Sequence, residues 1–340
     1  MAQINKPNTH FNPVLYTGNE STNAITTGLA NDFVWVKAKD SGGVNHYLFD
    51  SVRGVQKNMH SNTADAEVTE ANTLTAFNST GFTLGSDAQV NGSGQPHISW
   101  NWKAGGTAVS NTDGSITSSV SASTTSGFSI VSYTGTGSNA TIGHGLGVAP
   151  SMIINKPRDI VSSWAVYHAG IASDAETDVI YLEGTGAAFD NSTFWNDTAP
   201  NSSVFSVGSA TGTGANIAYC FAEKKGFSKF GSYVGNGSSD GTFVYTGFKP
   251  AFVMMKNASA SATPWFIFDA KRNPSNETDL KLNPNSSDAE SSANPIDILS
   301  NGFKLRTSGS YNNGSGNTLI YMCFAESPLV GTNGVPATAR

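Results

Sequence analysis

The chain has 340 residues, a formal net charge of −6 and only 13 % charged residues. This acidic balance, without a basic stripe that carries aromatic residues, argues against a nucleic-acid partner. No apolar run reaches the roughly 18 residues that predict a membrane span, and the polar start MAQINKPNTHFN lacks the apolar stretch of a secretory signal peptide. The 36 glycines and the 10 % aromatic content are typical of short strands joined by turns, so the sequence predicts an all-β protein.

Three similar stretches follow one another along the chain. Each contains an apolar run that ends in a lysine: FVWVK to Lys37, MIINK to Lys156 and FVMMK to Lys256. The lysines lie roughly 100 to 120 residues apart, a spacing that matches whole domains rather than solenoid repeats. Each stretch also closes on an aromatic strand pattern (ISWNW, IAYCF and IYMCF). We therefore predict three tandem antiparallel β-sandwich domains, each with its own core.

The repeats divide the chain into an N-terminal arm (1–12), repeat 1 (13–104), repeat 2 (105–226), repeat 3 (227–326) and a C-terminal arm (327–340). The Ser/Thr-rich lead-in of repeat 2 fits a flexible linker and an edge strand equally well, because Ile116 and Val120 could share one strand face. The polar arms are expected to become ordered by lying along a neighbour, which predicts a homo-oligomer. The best helical pattern, at most two turns, covers 65–72 and has an echo at 288–290.

The charged motifs of the repeats favour structural roles. Two Asp-x-x-Arg motifs, Asp50–Arg53 and Asp269–Arg272, are interpreted as ion pairs that fix a turn, because repeat 2 has His168 and Ile171 in their places. Strand-end lysines that recur in all three repeats are likewise interpreted as structural. The histidines have no metal-binding spacing, and His144 is predicted to lie in a surface turn. We expect no catalytic residue, no metal site and no cofactor.

The two cysteines, Cys220 and Cys323, occupy equivalent positions in repeats 2 and 3. Equivalent points of separate domains should not meet, so we predict buried free thiols rather than a disulfide.

One loop differs from the rest because aromatic residues stand among amide, hydroxyl and carboxylate groups. In NSTFWNDT, which covers residues 191–198, the candidates for glycan binding are Phe194, Trp195, Asn196 and Asp197. Sugars bind by stacking on an aromatic ring while polar side chains take their hydroxyls, and this use requires an exposed Trp195. The alternative interpretation is that Phe194 and Trp195 cap the domain core.

The phrases SYTGTGSNATIGHGLGVAPSMIINK, FVYTGFKPAFVMMK and FAESPLVGTNGVPATAR resemble repeat-containing structural proteins of marine tailed bacteriophages. The resemblance implies concanavalin A-like or jelly-roll sandwiches in a virion surface protein made in the host cytoplasm. It implies a non-enzymatic, trimeric tail fibre or receptor-binding appendage that contacts host-surface glycans and reaches other virion proteins through its arms. The sequence has no coiled-coil shaft, which leaves open a capsid decoration or head-fibre role. A glycan-degrading tailspike is a third alternative.

Overall fold

The computed structural model describes residues 3–331 and 334–338, and its regular structure is almost entirely β-strand. Every pairing between the named strands of this described part is antiparallel, as for β1 with β9 (Phe11–Thr17 with Pro96–Trp102). The prediction of an all-β fold built from antiparallel sandwiches is confirmed. No described helix is long and apolar enough to cross a membrane.

Repeat 1 contains a six-stranded sheet in the order β1-β9-β3-β4-β5-β6 and a three-stranded sheet in the order β2-β8-β7. Its elements are β1 Phe11–Thr17, β2 Asn23–Thr26, β3 Phe33–Ala38, β4 Tyr47–Asp50, β5 Lys57–His60, β6 Val68–Thr69, β7 Leu74–Asn78, β8 Gly81–Leu84, the short helix α1 Ala88–Asn91 and β9 Pro96–Trp102. A 3-10 turn at Pro7–Thr9 precedes them.

Repeat 2 contains an eight-stranded sheet in the order β10-β11-β12-β19-β14-β15-β16-β17 and the pair β13-β18. Its elements are β10 Val109–Asn111, β11 Ser118–Ser123, β12 Phe128–Thr136, β13 Ala140–Gly143, β14 Met152–Pro157, β15 Ala165–His168, β16 Asp178–Tyr181, β17 Phe189–Asp190, α2 Ser192–Trp195, β18 Val204–Val207, a 3-10 turn Ser209–Thr211 and β19 Thr213–Phe221.

Repeat 3 contains two four-stranded sheets, β20-β27-β22-β23 and β21-β26-β25-β24. Its elements are β20 Ser228–Val234, β21 Phe243–Tyr245, β22 Phe248–Asn257, β23 Phe266–Asp269, β24 Thr278–Lys281, β25 Ser291–Leu299, β26 Gly302–Leu305, α3 Ser310–Asn313 and β27 Thr318–Pro328.

The same strand order recurs in the three repeats. In each larger sheet the opening strand pairs with the closing aromatic strand, which pairs with the lysine-ended strand, which pairs with the next strand. These quartets are β1-β9-β3-β4, β12-β19-β14-β15 and β20-β27-β22-β23. The recurrence agrees with the repeat that the sequence predicts.

The lysine-ended strands are apolar throughout because both of their faces are covered. In β3, Val34 and Val36 face the small sheet of repeat 1, whereas Phe33 and Trp35 face the other two repeats. Successive side chains point to opposite faces of a strand, so β3 contributes side chains to two different cores. The prediction of three separate cores was incomplete, since a further core lies where the repeats meet.

This shared core is built mainly from aromatic side chains of all three repeats. Phe33 of repeat 1 lies 4.4 Å from Tyr219 of repeat 2 between ring centroids, and Phe11 lies 4.9 Å from Phe324 of repeat 3. Phe221 and Phe324 close the set at 6.1 Å. A buried phenylalanine contributes about 1.5–3 kcal/mol of hydrophobic free energy, so this core holds the repeats firmly to one another.

The repeats close a ring of three equivalent contacts. In each contact a backbone amide of one repeat donates to a backbone carbonyl of another repeat. That carbonyl belongs to the residue two positions after the strand-end lysine. These hydrogen bonds are Glu67 N to Arg158 O at 2.8 Å, Ala188 N to Ala258 O at 2.8 Å and Glu290 N to Lys39 O at 2.6 Å. Repeat 1 therefore contacts repeat 2, repeat 2 contacts repeat 3 and repeat 3 contacts repeat 1.

The lead-in of repeat 2 is an edge of its large sheet. Strand β10 pairs with β11, and β11 pairs with β12. Of the two interpretations of this segment, the edge strand is the one that the structure supports.

The described parts of both arms lie on the chain itself rather than extending away from it. Ile4 is buried and its amide donates to Lys225 O at 3.1 Å, and Pro7 is buried as well. At the other end, β27 continues to Pro328, which pairs with Phe248. The expectation that the arms need a neighbour is wrong for these residues, because other parts of the same chain cover them. Residues 1–2, 332–333 and 339–340 of the arms lie outside the described residues.

The predicted helix over 65–72 is also wrong. This segment contains β6, and its echo at 288–290 leads into β25. The glutamates of both segments form ion pairs at the contacts between repeats.

Candidate functional site

The loop singled out for glycan binding begins with one helical turn. Asn191 caps α2 by accepting a hydrogen bond from Thr193 N at 3.0 Å, and Asn196 ends the turn in the left-handed conformation with φ of 52°. This turn points Trp195 inward, where it is 2 % exposed and packs edge-to-face on Tyr167 at 6.0 Å. The expectation of an exposed Trp195 is wrong, and for this residue the capping alternative holds.

The other members of the loop remain accessible. Phe194 is half-buried at the rim of the shared core, Asn196 is half-buried and Asp197 is exposed. The Asn139 side-chain amide donates to the Asn196 side-chain oxygen, which fixes that amide on the surface. Phe194 can therefore offer a ring face to a ligand, although Trp195 cannot.

Two aromatic residues that the sequence analysis did not single out lie beside Phe194. Tyr181 of β16 is 5.9 Å from Phe194 and 5.3 Å from Phe189 of β17, both in edge-to-face geometry. Phe189 is 37 % exposed. We call Tyr181, Phe189 and Phe194 the aromatic corner. The available signal in the sequence was Phe189 followed by Asp190 and Asn191, the same mixture of aromatic and polar groups as in the loop.

Carboxylates also lie on the strands of the aromatic corner, at positions whose side chains point to the opposite face of the sheet. Asp178 and Asp190 are partners across β16 and β17, one pair away from Phe189. Partial burial and the neighbouring charges of Asp174 and Asp190 raise the pKa of Asp178. The partly exposed rings, together with the exposed Asp197 of the loop that carries Phe194, make up a surface that can stack on a sugar ring and accept its hydroxyl protons.

The Asp-x-x-Arg motifs are the ion pairs that the sequence predicts. One Asp50 oxygen accepts the amides of Val52 and Arg53 at 3.0 and 2.8 Å, and the other oxygen accepts the Arg53 side chain. Asp269 repeats the arrangement with Arg272, whose Nε lies at 2.6 Å. All four side chains are fully buried. The N–H donors of such a turn hold the carboxylate in one position.

These ion pairs lie between repeats. The Tyr219 hydroxyl of repeat 2 donates to Asp50 at 2.7 Å, and Trp100 of repeat 1 donates to Asp269 at 3.2 Å. In the third contact His168 takes the aspartate position, and its Nε2 donates to Tyr321 O at 3.0 Å. His168 Nδ1 accepts from Gly170 N at 3.1 Å, so the neutral ring is fully hydrogen-bonded.

Acidic residues extend two of the three contacts. Glu67 contacts Arg53 of its own repeat at 3.2 Å and Arg158 of repeat 2 at 2.8 Å. Glu290 does the same with Arg272 at 3.4 Å and Lys39 at 2.8 Å. The contact between repeats 2 and 3 has Ile171, Ala188 and Ala258 in the corresponding places.

The strand-end lysines are buried beneath backbone carbonyls. Lys37 Nζ donates to Ala38 O, Val44 O and, across the contact, Ser287 O, at 2.8–3.3 Å. Lys156 reaches Ala64 O of repeat 1 at 3.2 Å. Burial lowers the pKa of Lys37, Lys156 and Lys256 to about 8 each. These lysines satisfy carbonyls at the ends of strands, in agreement with their predicted structural role.

His144 is also buried, contrary to the prediction of a surface turn. Its Nδ1 accepts from Leu146 N at 3.2 Å and its Nε2 contacts Asn201 O at 3.0 Å. The imidazole thus hydrogen-bonds backbone groups of the glycine-rich turn and of residues 201–203, which cover it. In the described part of the chain, no group of three or more His, Cys, Asp or Glu residues could hold a metal ion.

Both cysteines are free and fully buried, in β19 and β27. Burial raises the pKa of each thiol. We expect a thiol reagent to leave Cys220 and Cys323 unmodified in the native protein and to modify both after denaturation, since the reactive thiolate is disfavoured and inaccessible. Rapid modification of the native protein, followed by mass spectrometry, would contradict this placement.

The fold and its polar contacts define an all-β protein in which three equivalent repeats close around a shared core. The chain belongs to the family described as a domain of unknown function, DUF7483, whose model matches residues 6–328. No curated protein matches the chain. One family model extends across all three repeats rather than matching each repeat separately.

Proposed function

We propose that the chain is a non-enzymatic surface protein of a tailed-bacteriophage particle, a tail fibre-like appendage that contacts host-surface glycans. The resemblance of its repeated sequence phrases to such proteins supports the assignment of the chain to a phage particle. The partly exposed aromatic corner, with Asp197 in the loop that carries Phe194, supports the glycan contact and carries the proposal. The buried charged groups at the contacts between repeats serve the scaffold, which leaves the outer loops for recognition.

Because Trp195 is buried, we assign the glycan contact to the nearby rings of Phe189 and Phe194. Ring stacking on Phe189 and Phe194 contributes on the order of 1 kcal/mol each beyond burial, which is about fivefold in affinity. We therefore expect Phe189→Ala combined with Phe194→Ala to weaken adsorption of the purified chain to host cells at least tenfold. Both rings are partly exposed, so the melting temperature should change little.

Tyr311→Ala is the matched control, because Tyr311 is 45 % exposed and lies in repeat 3. It should leave adsorption unchanged. Trp195→Ala should instead destabilise the fold by about 3–5 kcal/mol, as large-to-small core substitutions do. Normal adsorption of the double variant would remove the glycan contact from this corner. Release of reducing sugar ends in the same assay would favour the tailspike alternative.

The capsid decoration or head-fibre role is the second candidate, and the exposed edge of β21 favours it because sheet edges suit contacts with other proteins. Labelling intact particles with an antibody against the chain separates tail from capsid. We keep the homo-oligomer, a trimer, as part of the proposal on the strength of the resemblance. Sedimentation of the full chain at micromolar concentration tests it.

A further inference from the structure

Each repeat has an edge strand in its second sheet, and the three edge strands are equivalent. They are β2, β13 and β21, whose central residues Ile25, Ile142 and Val244 face the cores. Each central residue pairs with the phenylalanine of the neighbouring strand, Phe82, Phe205 or Phe303. The repeats therefore provide an internal comparison of one structural position in three sequences.

In repeat 2 this edge is covered by the chain's own lead-in segment. Ile116 forms a parallel bridge with Ile142, and its amide donates to Thr141 O at 3.2 Å. The Ser118 hydroxyl donates to Gly143 O at 2.9 Å, and the Ser115 hydroxyl accepts from Thr141 N at 2.9 Å. A short extended segment with a central aliphatic residue thus satisfies the edge of β13.

In repeat 3 the same edge is open. Leu305 N donates to Thr242 O at 3.1 Å and Thr246 N donates to Asn301 O at 2.9 Å, so the ladder to β26 uses the even-numbered positions. Antiparallel ladders alternate, so the backbone groups of Phe243 and Tyr245 point to the other side. Within residues 3–331 and 334–338, β21 pairs with β26 alone.

The exposure of the central side chains also differs between the covered edge of β13 and the open edges of β2 and β21. Ile142 under the lead-in segment is 0 % exposed, whereas Ile25 and Val244 on the open edges are each 6 % exposed. Only β21 flanks its open edge with large rings, because Phe243 is 45 % and Tyr245 is 57 % exposed.

The corresponding positions are small or hydroxylated in the other two repeats, namely Ala24, Thr26, Thr141 and Gly143. Exposed rings beside an unpaired strand edge are an aggregation hazard that proteins usually avoid, so their presence on β21 calls for a partner.

We propose that the open edge of β21 binds an extended segment of a partner protein by strand addition, parallel to β21. A β-branched residue of that segment would lie beside Val244, as Ile116 lies beside Ile142, and the rings of Phe243 and Tyr245 would cover the added strand. Main-chain bonds supply the affinity in this mode of recognition, and side-chain pockets supply the specificity. The inference concerns repeat 3 and a protein partner, so it goes beyond the proposed glycan contact.

The described lead-in and arm segments of this chain are already engaged elsewhere, which favours a different protein as the occupant. The lead-in segment is already used in repeat 2, and Ile4 holds the N-terminal arm to Lys225. After β27 the chain folds back, with a bridge from Val330 to Pro336 and a bond from Ala337 N to Leu329 O at 2.8 Å. A second copy would thus have to give up one of its own contacts.

The test uses a fluorescein-labelled peptide with the sequence of residues 111–119, NTDGSITSS, and the full chain. Fluorescence anisotropy should show saturable binding with a dissociation constant below about 1 mM. Tyr245→Pro removes an edge N–H that the fold does not use, and proline is tolerated on edge strands. It should weaken peptide binding about tenfold or more. Thr26→Pro makes the equivalent change on β2 and should leave binding unchanged.

Two further measurements keep the test decisive if Tyr245→Pro fails to fold. Phe243→Ala with Tyr245→Thr gives the two flanking positions of β21 the residues of β2, Ala24 and Thr26, and should weaken binding several-fold. A peptide with Ile116→Asp should not bind. Absence of binding by the wild-type chain, or equal binding by all variants, overturns the proposal. A concentration-dependent dimer that Tyr245→Pro dissolves also overturns it, because a second copy would then occupy the edge.

Discussion

Replacing Arg53 with methionine is expected to lower the free energy of unfolding by about 3–5 kcal/mol. The Arg53 and Asp50 side chains are both fully buried. Arg53 also donates to Leu48 O at 2.8 Å and contacts the Tyr219 hydroxyl of repeat 2 at 3.3 Å. Methionine fills part of the volume but leaves the Asp50 carboxylate buried without its cation. The cost therefore combines an unpaired charge with a lost contact between repeats.

Lys229→Met is the matched control for this substitution. Lys229 pairs with Glu223 at 2.8 Å, but the two side chains are 35 % and 41 % exposed. Exposed pairs contribute at most about 1 kcal/mol, so this variant should unfold nearly as the wild type does. Urea unfolding followed by tryptophan fluorescence measures both variants. A loss of less than 1 kcal/mol for Arg53→Met would show that the pair is dispensable even when buried.

The strands of this fold were predictable from the sequence because burial on both faces leaves a continuous apolar run. FVWVK and FVMMK became β3 and β22 over nearly their whole lengths. The sequence did not reveal what covers the second face. That cover comes from the other repeats, through contacts such as Phe33 with Tyr219, and depends on how distant segments are placed relative to one another.

The contacts between repeats left a signal that was misread. Asp-Ala-Glu occurs at 65–67 and again at 288–290, and we interpreted it as the start of a short helix. In the structure the glutamate of each motif forms an ion pair with the next repeat. Repeat 2 lacks the glutamate, its own arginine and the basic residue across the contact, with Ile171, Ala188 and Ala258 instead. The joint absence of all three groups from one contact is the pattern that could have identified them as partners.

The accessibility of the candidate loop was predictable only in part. Phe194, Asn196 and Asp197 are accessible, whereas Trp195 is buried, and the polar neighbours of Trp195 gave no warning. The left-handed backbone of Asn196 decides the direction of the adjoining side chains. Composition cannot report such a single dihedral angle. Phe189 and Tyr181 join the site only because β16 and β17 bring them beside the loop.

Acidification is expected to destabilise the protein through its buried histidines, and His168 gives the clearest case. Burial lowers the pKa of His168 from 6.5 to about 4. Between these values the unfolded chain binds a proton that the folded chain does not, so stability is complete above pH 6.5 and falls as the pH drops to 4. One pKa unit corresponds to about 1.4 kcal/mol, so this group alone should remove about 3 kcal/mol.

A His168→Gln variant isolates this share of the pH dependence. Glutamine keeps an amide donor for Tyr321 O and does not titrate, so the difference in unfolding free energy between pH 7 and pH 4 should be about 3 kcal/mol smaller than in the wild type. Its stability at pH 7 should be lower, because the bond from Gly170 N to Nδ1 is lost.

His10→Gln is the comparison, since His10 is only half-buried and its pKa is also lowered, first by burial and then by Lys103. It should change the difference between the two pH values by less than His168→Gln does. The other titrating groups are the same in every variant, so their contributions cancel in the comparison. Identical pH dependence in the wild type and His168→Gln would mean that His168 is already charged, or accessible to water, in the folded protein.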